Sequence, residues 1–94
     1  MPAISFLGAM SAGHDGFNPR PNLEASSNVF VNGKGIHIVG DSWEIHCDST
    51  SCHDGVEASG SSSVFINGRA LARIGDSISC GDIIAEGSPN VFSG

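Results

Sequence analysis

The 94-residue chain has no tyrosine, a single tryptophan and only four lysines and arginines, against ten aspartates and glutamates. With a net charge of −6 and no basic run, it lacks the usual electrostatic footprint of nucleic-acid and anionic-lipid binding, and no nucleic-acid partner is expected. No stretch approaches the roughly 20 apolar residues needed to span a bilayer. The opening Met1-Pro2-Ala3-Ile4-Ser5-Phe6 carries no positive leader region, so the expectation is synthesis as a soluble cytoplasmic chain. Strong helix formers are scarce, while 13 glycines and four prolines stand among many serines and asparagines. Short strands and turns are expected, arranged in one domain over residues 1–94. A chain this short buries only about 60–65 % of its unfolded surface, so an additional staple is expected.

What the sequence does have is an internal repeat. Ser27-Asn28-Val29-Phe30-Val31-Asn32-Gly33-Lys34 recurs as Ser62-Ser63-Val64-Phe65-Ile66-Asn67-Gly68-Arg69, and a truncated copy, Pro89-Asn90-Val91-Phe92-Ser93-Gly94, ends the chain. A second piece, Ile38-Val39-Gly40-Asp41-Ser42, recurs as Arg73-Ile74-Gly75-Asp76-Ser77, with Phe6-Leu7-Gly8-Ala9-Met10 as a degenerate copy. Each V-F-x-N-G unit reads as a hairpin arm, because Val and Phe favour strands and Asn-Gly supplies the positive φ angles of a tight turn. The returning arms, Ile36 to Val39 and Ala70 to Ile74, run to a Gly-Asp bend. Isolated hairpins are unstable in water, so three must pack together and bury Val29, Val31, Val64, Ile66 and Ile74. The fold class is therefore all-β, a small set of hairpins with three-fold pseudo-symmetry.

The repeat also places metal-binding side chains. Gly8 to His14 aligns without gaps on Gly40 to His46, and Cys80 lies five residues beyond Gly75. His53, from the longer middle loop, supplies a fourth donor. Three imidazoles and one thiolate suit tetrahedral Zn²⁺, with iron as the other candidate, and four protein ligands mark a structural site. Binding energy then becomes folding energy and provides the missing staple. Cys47 and Cys52 read as unpaired bystander thiols, either of which could replace a ligand. His37, between Ile36 and Ile38, reads as a surface side chain. Asp15 and Asp54 read as turn residues that could also orient an imidazole, and Asp41 and Asp76 as turn residues. Phe17-Asn18-Pro19-Arg20-Pro21 reads as an extended loop.

The V-F-V-N-G-K, V-F-I-N-G-R-A-L-A-R-I-G-D and C-G-D-I-I-A-E-G-S-P-N-V-F stretches resemble the PAAR-repeat proteins, whose namesake tetrapeptide is matched by Ala70-Leu71-Ala72-Arg73. The first copy departs, with Gly35-Ile36-His37-Ile38 at that place. The resemblance implies a sharp cone with a zinc near its vertex, held by His14, His46, His53 and Cys80. It implies a structural, non-enzymatic role, capping a trimeric β-helical spike at one copy per trimer, with no homo-oligomer and only transient contact with the target membrane. The spike would belong to a contractile phage tail, the favoured reading, or to a bacterial type VI secretion system.

Two rivals stand beside that expectation. A zinc hydrolase needs an open coordination position and a general base such as Glu44 or Glu57, which a closed four-ligand site in so small a chain opposes. A metal-free hairpin module binding a small ligand or glycan would leave the histidines incidental.

Overall fold

Two Asn-Gly dipeptides set the first and last regular hairpins of the computed structural model, which describes residues 1–94. β1 (Phe30–Val31) turns at Asn32 and Gly33, with φ of 51° and 79°, and pairs antiparallel with β2 (Lys34–Gly35). Farther along, β5 (Phe65–Ile66) turns at Asn67 and Gly68, with φ of 53° and 81°, into β6 (Arg69–Ala70). Paired positive φ angles give the turn a twist that matches the strands it joins. Between them lies the longest hairpin, β3 (Ser42–Cys47) against β4 (Cys52–Val56). The fold is all-β as expected, and no helix is long and apolar enough to cross a membrane.

The third repeat closes through the other end of the chain. In the first copy the Ile36 amide donates to Val29 O and the Ser26 amide to Ile36 O; Leu71, Val64 and Ser61 repeat the exchange in the second. In the third copy the partner of Val91 and Ser88 is Ile4, at 3.1 and 2.7 Å, so the N-terminal segment supplies the missing arm. The degenerate first copy thus extends back through Ala3-Ile4-Ser5-Phe6, which is equivalent to Gly35-Ile36-His37-Ile38 and Ala70-Leu71-Ala72-Arg73. Three bends follow at Gly8, Gly40 and Gly75, with φ of 87°, 94° and 89°.

At the centre, main-chain groups of the three arms bond to one another in a ring. The Ser5 amide donates to Ala72 O (2.9 Å), Ala72 to His37 O (3.0 Å) and His37 to Ser5 O (3.3 Å). All three residues are fully buried. Around them Ile4, Val31, Ile36, Ile38 and Leu71 form one apolar cluster; Trp43, Ala72, Ile78 and Ile84 form a second. Neither is large. Of 26 buried residues, 14 are polar or charged, so hydrogen bonding organises the interior as much as apolar packing does. Three equivalent serines carry part of it: Ser26, Ser61 and Ser88 hydroxyls accept amides two and three residues ahead, fixing the chain before each V-F arm.

Several expectations need correcting. Val64 and Ile74 are exposed rather than buried, since the arms are too short to cover every apolar residue. His37 is not at the surface: its place in the ring surrounds it on all sides. Its Nδ1 faces Glu24 O at 2.8 Å and its Nε2 faces Glu57 Oε1 at 3.2 Å. Trp43 Nε1–H donates to the same Glu57 oxygen, while Oε2 has no partner. Burial pushes the Glu57 carboxyl above its ordinary pKa, against the opposing hydrogen bond from His37.

Where the segment entering each copy packs on that copy's returning arm, one glycine faces one alanine each time. A Cβ on Gly60 would lie 2.6 Å from Leu71 O and 3.1 Å from the Ala70 methyl, and one on Gly87 would lie 2.9 Å from the Ala3 methyl. In the first copy the order is inverted, with Gly35 against Ala25. Gly60→Ala is therefore expected to destabilise the chain by roughly 1–3 kcal/mol, read as a lower urea midpoint. Adding Ala70→Gly, which restores the inverted order of the first copy, should recover part of the loss. A Gly60→Ala midpoint equal to wild type would show that the two segments do not approach so closely.

Candidate metal centre

Each bend sends its chain toward one cluster. From Gly8 the chain reaches His14, from Gly40 it enters β3 and reaches His46, and from Gly75 it reaches Cys80. On β3 the side chains of Trp43 and His46, three residues apart, both point inward and are 1 % and 6 % exposed. A regular strand would put them on opposite faces; an irregularity in the register between Trp43 and His46 brings them to the same one. His53 stands opposite His46 on β4. The structure thus brings together all four residues named from the sequence: one donor atom from each of His14, His46, His53 and Cys80 lies within 4.8 Å of the others.

The imidazoles converge through their Nε2 atoms. His53 Nε2 is 3.1 Å from His14 Nε2 and 2.8 Å from His46 Nε2. His46 Nδ1 donates to Asn18 O at 2.8 Å, which leaves the His46 Nε2 lone pair turned into the cluster. One proton can bridge only one such nitrogen pair at a time, whereas a single cation satisfies three lone pairs and a thiolate together. Partial desolvation, followed by the His46 and His14 imidazoles, lowers the His53 pKa, which favours the neutral ligating form. The donor set of three imidazoles and a thiolate fits a transition-metal ion such as zinc. Phe17 covers the group, its ring 4.1 Å from His53, 4.8 Å from His46 and 5.1 Å from His14, centroid to centroid.

The remaining residues named from the sequence fall into different roles. Asp15 and Gly16 form a turn with φ of 46° and 83°, closed by reciprocal bonds between His14 and Phe17. Asp15, the expected turn residue, also lies 3.4 Å from His14 Nδ1. Asp54 is a strand residue of β4, not a turn residue, because the β3–β4 pairing continues through it. Asp41 and Asp76 receive the Ile38 and Arg73 amides across their bends and pair with Arg69 and Arg73. Glu44 is exposed; Glu57 is engaged with His37 and Trp43. The open groove of about 590 Å³ includes Leu7, Leu23, Phe30 and Arg69 in its lining, and no member of the cluster.

Cys47 and Cys52 form a disulfide, which corrects their reading as unpaired thiols. They are register partners one step beyond the His46–His53 pair, at the end of β3–β4, and both are exposed. The tight turn, in which Asp48 accepts the Thr50 and Ser51 amides, brings the two sulfurs together. Local hairpin pairing supplied the proximity that an odd cysteine count and an assumed reducing compartment argued against. Cys80 is the free cysteine.

Sequence reasoning missed Arg20 and Asp82. Arg20, in the proline-flanked loop, is 2 % exposed and donates to Asp82 Oδ2 at 2.8 Å. Burial acts to raise the Asp82 pKa, but hydrogen bonds from Ser11 and the Ile83 amide, with the Arg20 charge, outweigh it and hold the carboxyl below its ordinary value. The only sequence signal was an arginine between two prolines, which fixes its loop without showing what the loop packs on.

The family model described as PAAR motif matches residues 19–86, well over half of the chain. The match contains His46, His53 and Cys80, while His14 precedes it. No curated protein matches the chain closely enough to count as a relative. Thiol titration of the denatured, unreduced protein is expected to detect one thiol per chain, Cys80, and three after reduction. Three thiols before reduction would remove the disulfide.

Proposed function

The chain belongs to the PAAR-motif family, and from that premise we propose that it is the metal-stapled tip of a contractile injection apparatus, seated on the end of a trimeric β-helical spike. The observation that carries this reading is the closed three-copy ring combined with a His₃Cys cluster fed by all three bends. A chain with three pseudo-equivalent arms matches the end of a three-fold partner at one copy per trimer. The principal extents of 37 × 24 × 21 Å describe a body longer than it is wide, as a pointed cap requires.

His14, His46, His53 and Cys80 hold the ion, and zinc is the metal the donor set favours. With four protein donors the ion is structural: it ties loops from separate repeats to one point, so opening that point first requires releasing the metal. Force applied along the spike then meets a cross-linked vertex rather than free loops. The role is mechanical and non-enzymatic, and the groove's separation from the cluster supports that. Between the two assemblies, the phage tail is the favoured one, with type VI secretion second.

Elemental analysis should find about one zinc per chain, as expected of a closed four-ligand site. Cys80→Ser should lose it and unfold at lower temperature. A metal-free wild-type protein that is fully folded would overturn the stapled tip in favour of a metal-free binding module. Mixed with a trimeric β-helical spike, the chain should co-elute at one copy per three spike chains; a free homotrimer that ignores the spike would exclude the assembly.

A further inference from the structure

A single cation, Arg20, reaches several parts of the metal centre at once. Its Nε donates to Glu44 O at 3.0 Å on β3, its Nη1 to Asp82 Oδ2 at 2.8 Å, and its Nη2 to Cys80 Sγ at 3.4 Å. The guanidinium carbon also lies 5.5 Å from the centroid of the Trp43 ring. Nη1 stands 3.1 Å from His46 Nδ1 and 2.9 Å from Nε2. An atom nearly equidistant from both ring nitrogens at that range cannot lie in the imidazole plane without striking the ring, so it sits over the ring's face. The in-plane Nε2 lone pair is left to His53 and the cluster.

We propose that Arg20 is the positioning residue of the metal centre: its guanidinium fastens the Cys80 loop to the His46 strand and orients both donors toward the ion. This rests on the metal-stapled reading above. The arginine–aspartate pair is almost entirely removed from water, with side chains 3 % and 0 % exposed. A buried charge pair is costly unless its geometry is fully satisfied, and here the pair's remaining bonds go to the strand and the thiol. The planar fork matters, because it reaches Glu44 O, Asp82 and Cys80 in separate directions; a lysine ammonium on a flexible stem cannot replace that arrangement. An N–H donor to a ligating sulfur and a face against a ligating imidazole are outer-sphere contacts of the kind that set ligand orientation and metal affinity.

The test uses the full chain loaded with Co²⁺, comparing wild type, Arg20→Lys and Asp82→Asn. Cobalt reports donor geometry through its visible bands and the sulfur-to-cobalt charge-transfer band. Arg20→Lys is expected to weaken Co²⁺ binding by about 10–100-fold and to shift or weaken the charge-transfer band. Asp82→Asn, which removes the charge that anchors Nη1 but keeps the guanidinium, should fall between it and wild type. If Arg20→Lys lowers the unfolding midpoint while its folded protein keeps wild-type affinity and spectrum, Arg20 is only part of the packing and the proposal is overturned. Should Arg20→Lys fail to fold, Asp82→Asn decides, and wild-type affinity and bands in that variant overturn the proposal equally. Wild-type protein that takes up no cobalt removes the metal centre itself, an outcome distinct from a bound metal indifferent to Arg20.

Discussion

Three main-chain hydrogen bonds, from Ser5 to Ala72 to His37 and back to Ser5, hold the rest of the molecule in place. They involve no side-chain atom, so the three positions can carry serine, alanine and histidine without loss of the ring. That independence explains how the copies diverged: the tetrapeptide of the second copy is absent from the other two, yet all three run the same course. Closure at this spacing has consequences outward. Each returning arm lies so near the segment that enters its own copy that a glycine stands against an alanine there, and each arm leaves the ring toward a bend aimed at the cluster.

The interior compensates for a small apolar core with order at polar groups. Buried serines, the Asp41 and Asp76 carboxylates and the Arg20–Asp82 pair each hold backbone or side chains that water would otherwise solvate. Specificity follows from this, since each of these groups has partners at defined positions and a shifted register would strand it. The exception is Glu57 Oε2, which has no partner, on a carboxyl whose other oxygen meets His37 and Trp43 and whose burial pushes it above its ordinary pKa. The β3–β4 hairpin carries two cross-links at adjacent register steps, a covalent one facing out and a donor pair facing in.

Much of the architecture was legible because special backbone conformations call for special residues. Asn32-Gly33 and Asn67-Gly68 marked their turns, Gly40 and Gly75 their bends, and the spacing from those bends and from Gly8 led to His46, Cys80 and His14, with His53 added from the middle loop. What stayed hidden depended on partners distant in the chain. Ala3-Ile4-Ser5 shares few letters with the arms it is equivalent to, so its pairing with Val91 and Ser88 left no trace in the repeat. His37 alternates with isoleucines like an outward strand residue, but a ring has no outward side at its centre. The register irregularity before His46 and the reach of Arg20 are likewise results of packing, invisible to local pattern.

Because Ile4 completes the last repeat, the two ends of the chain are zipped together: Ala3 bridges Phe92, and Gly94 lies against the Met1 side chain. The molecule is a belt whose buckle is its own termini. Sequence order along such a belt is largely arbitrary, and joining the ends while opening the Asn67-Gly68 turn would leave the central ring and every bend as they are. Any peptide attached at the front of the chain and any attached at the back would depart from the same spot, beside the buckle.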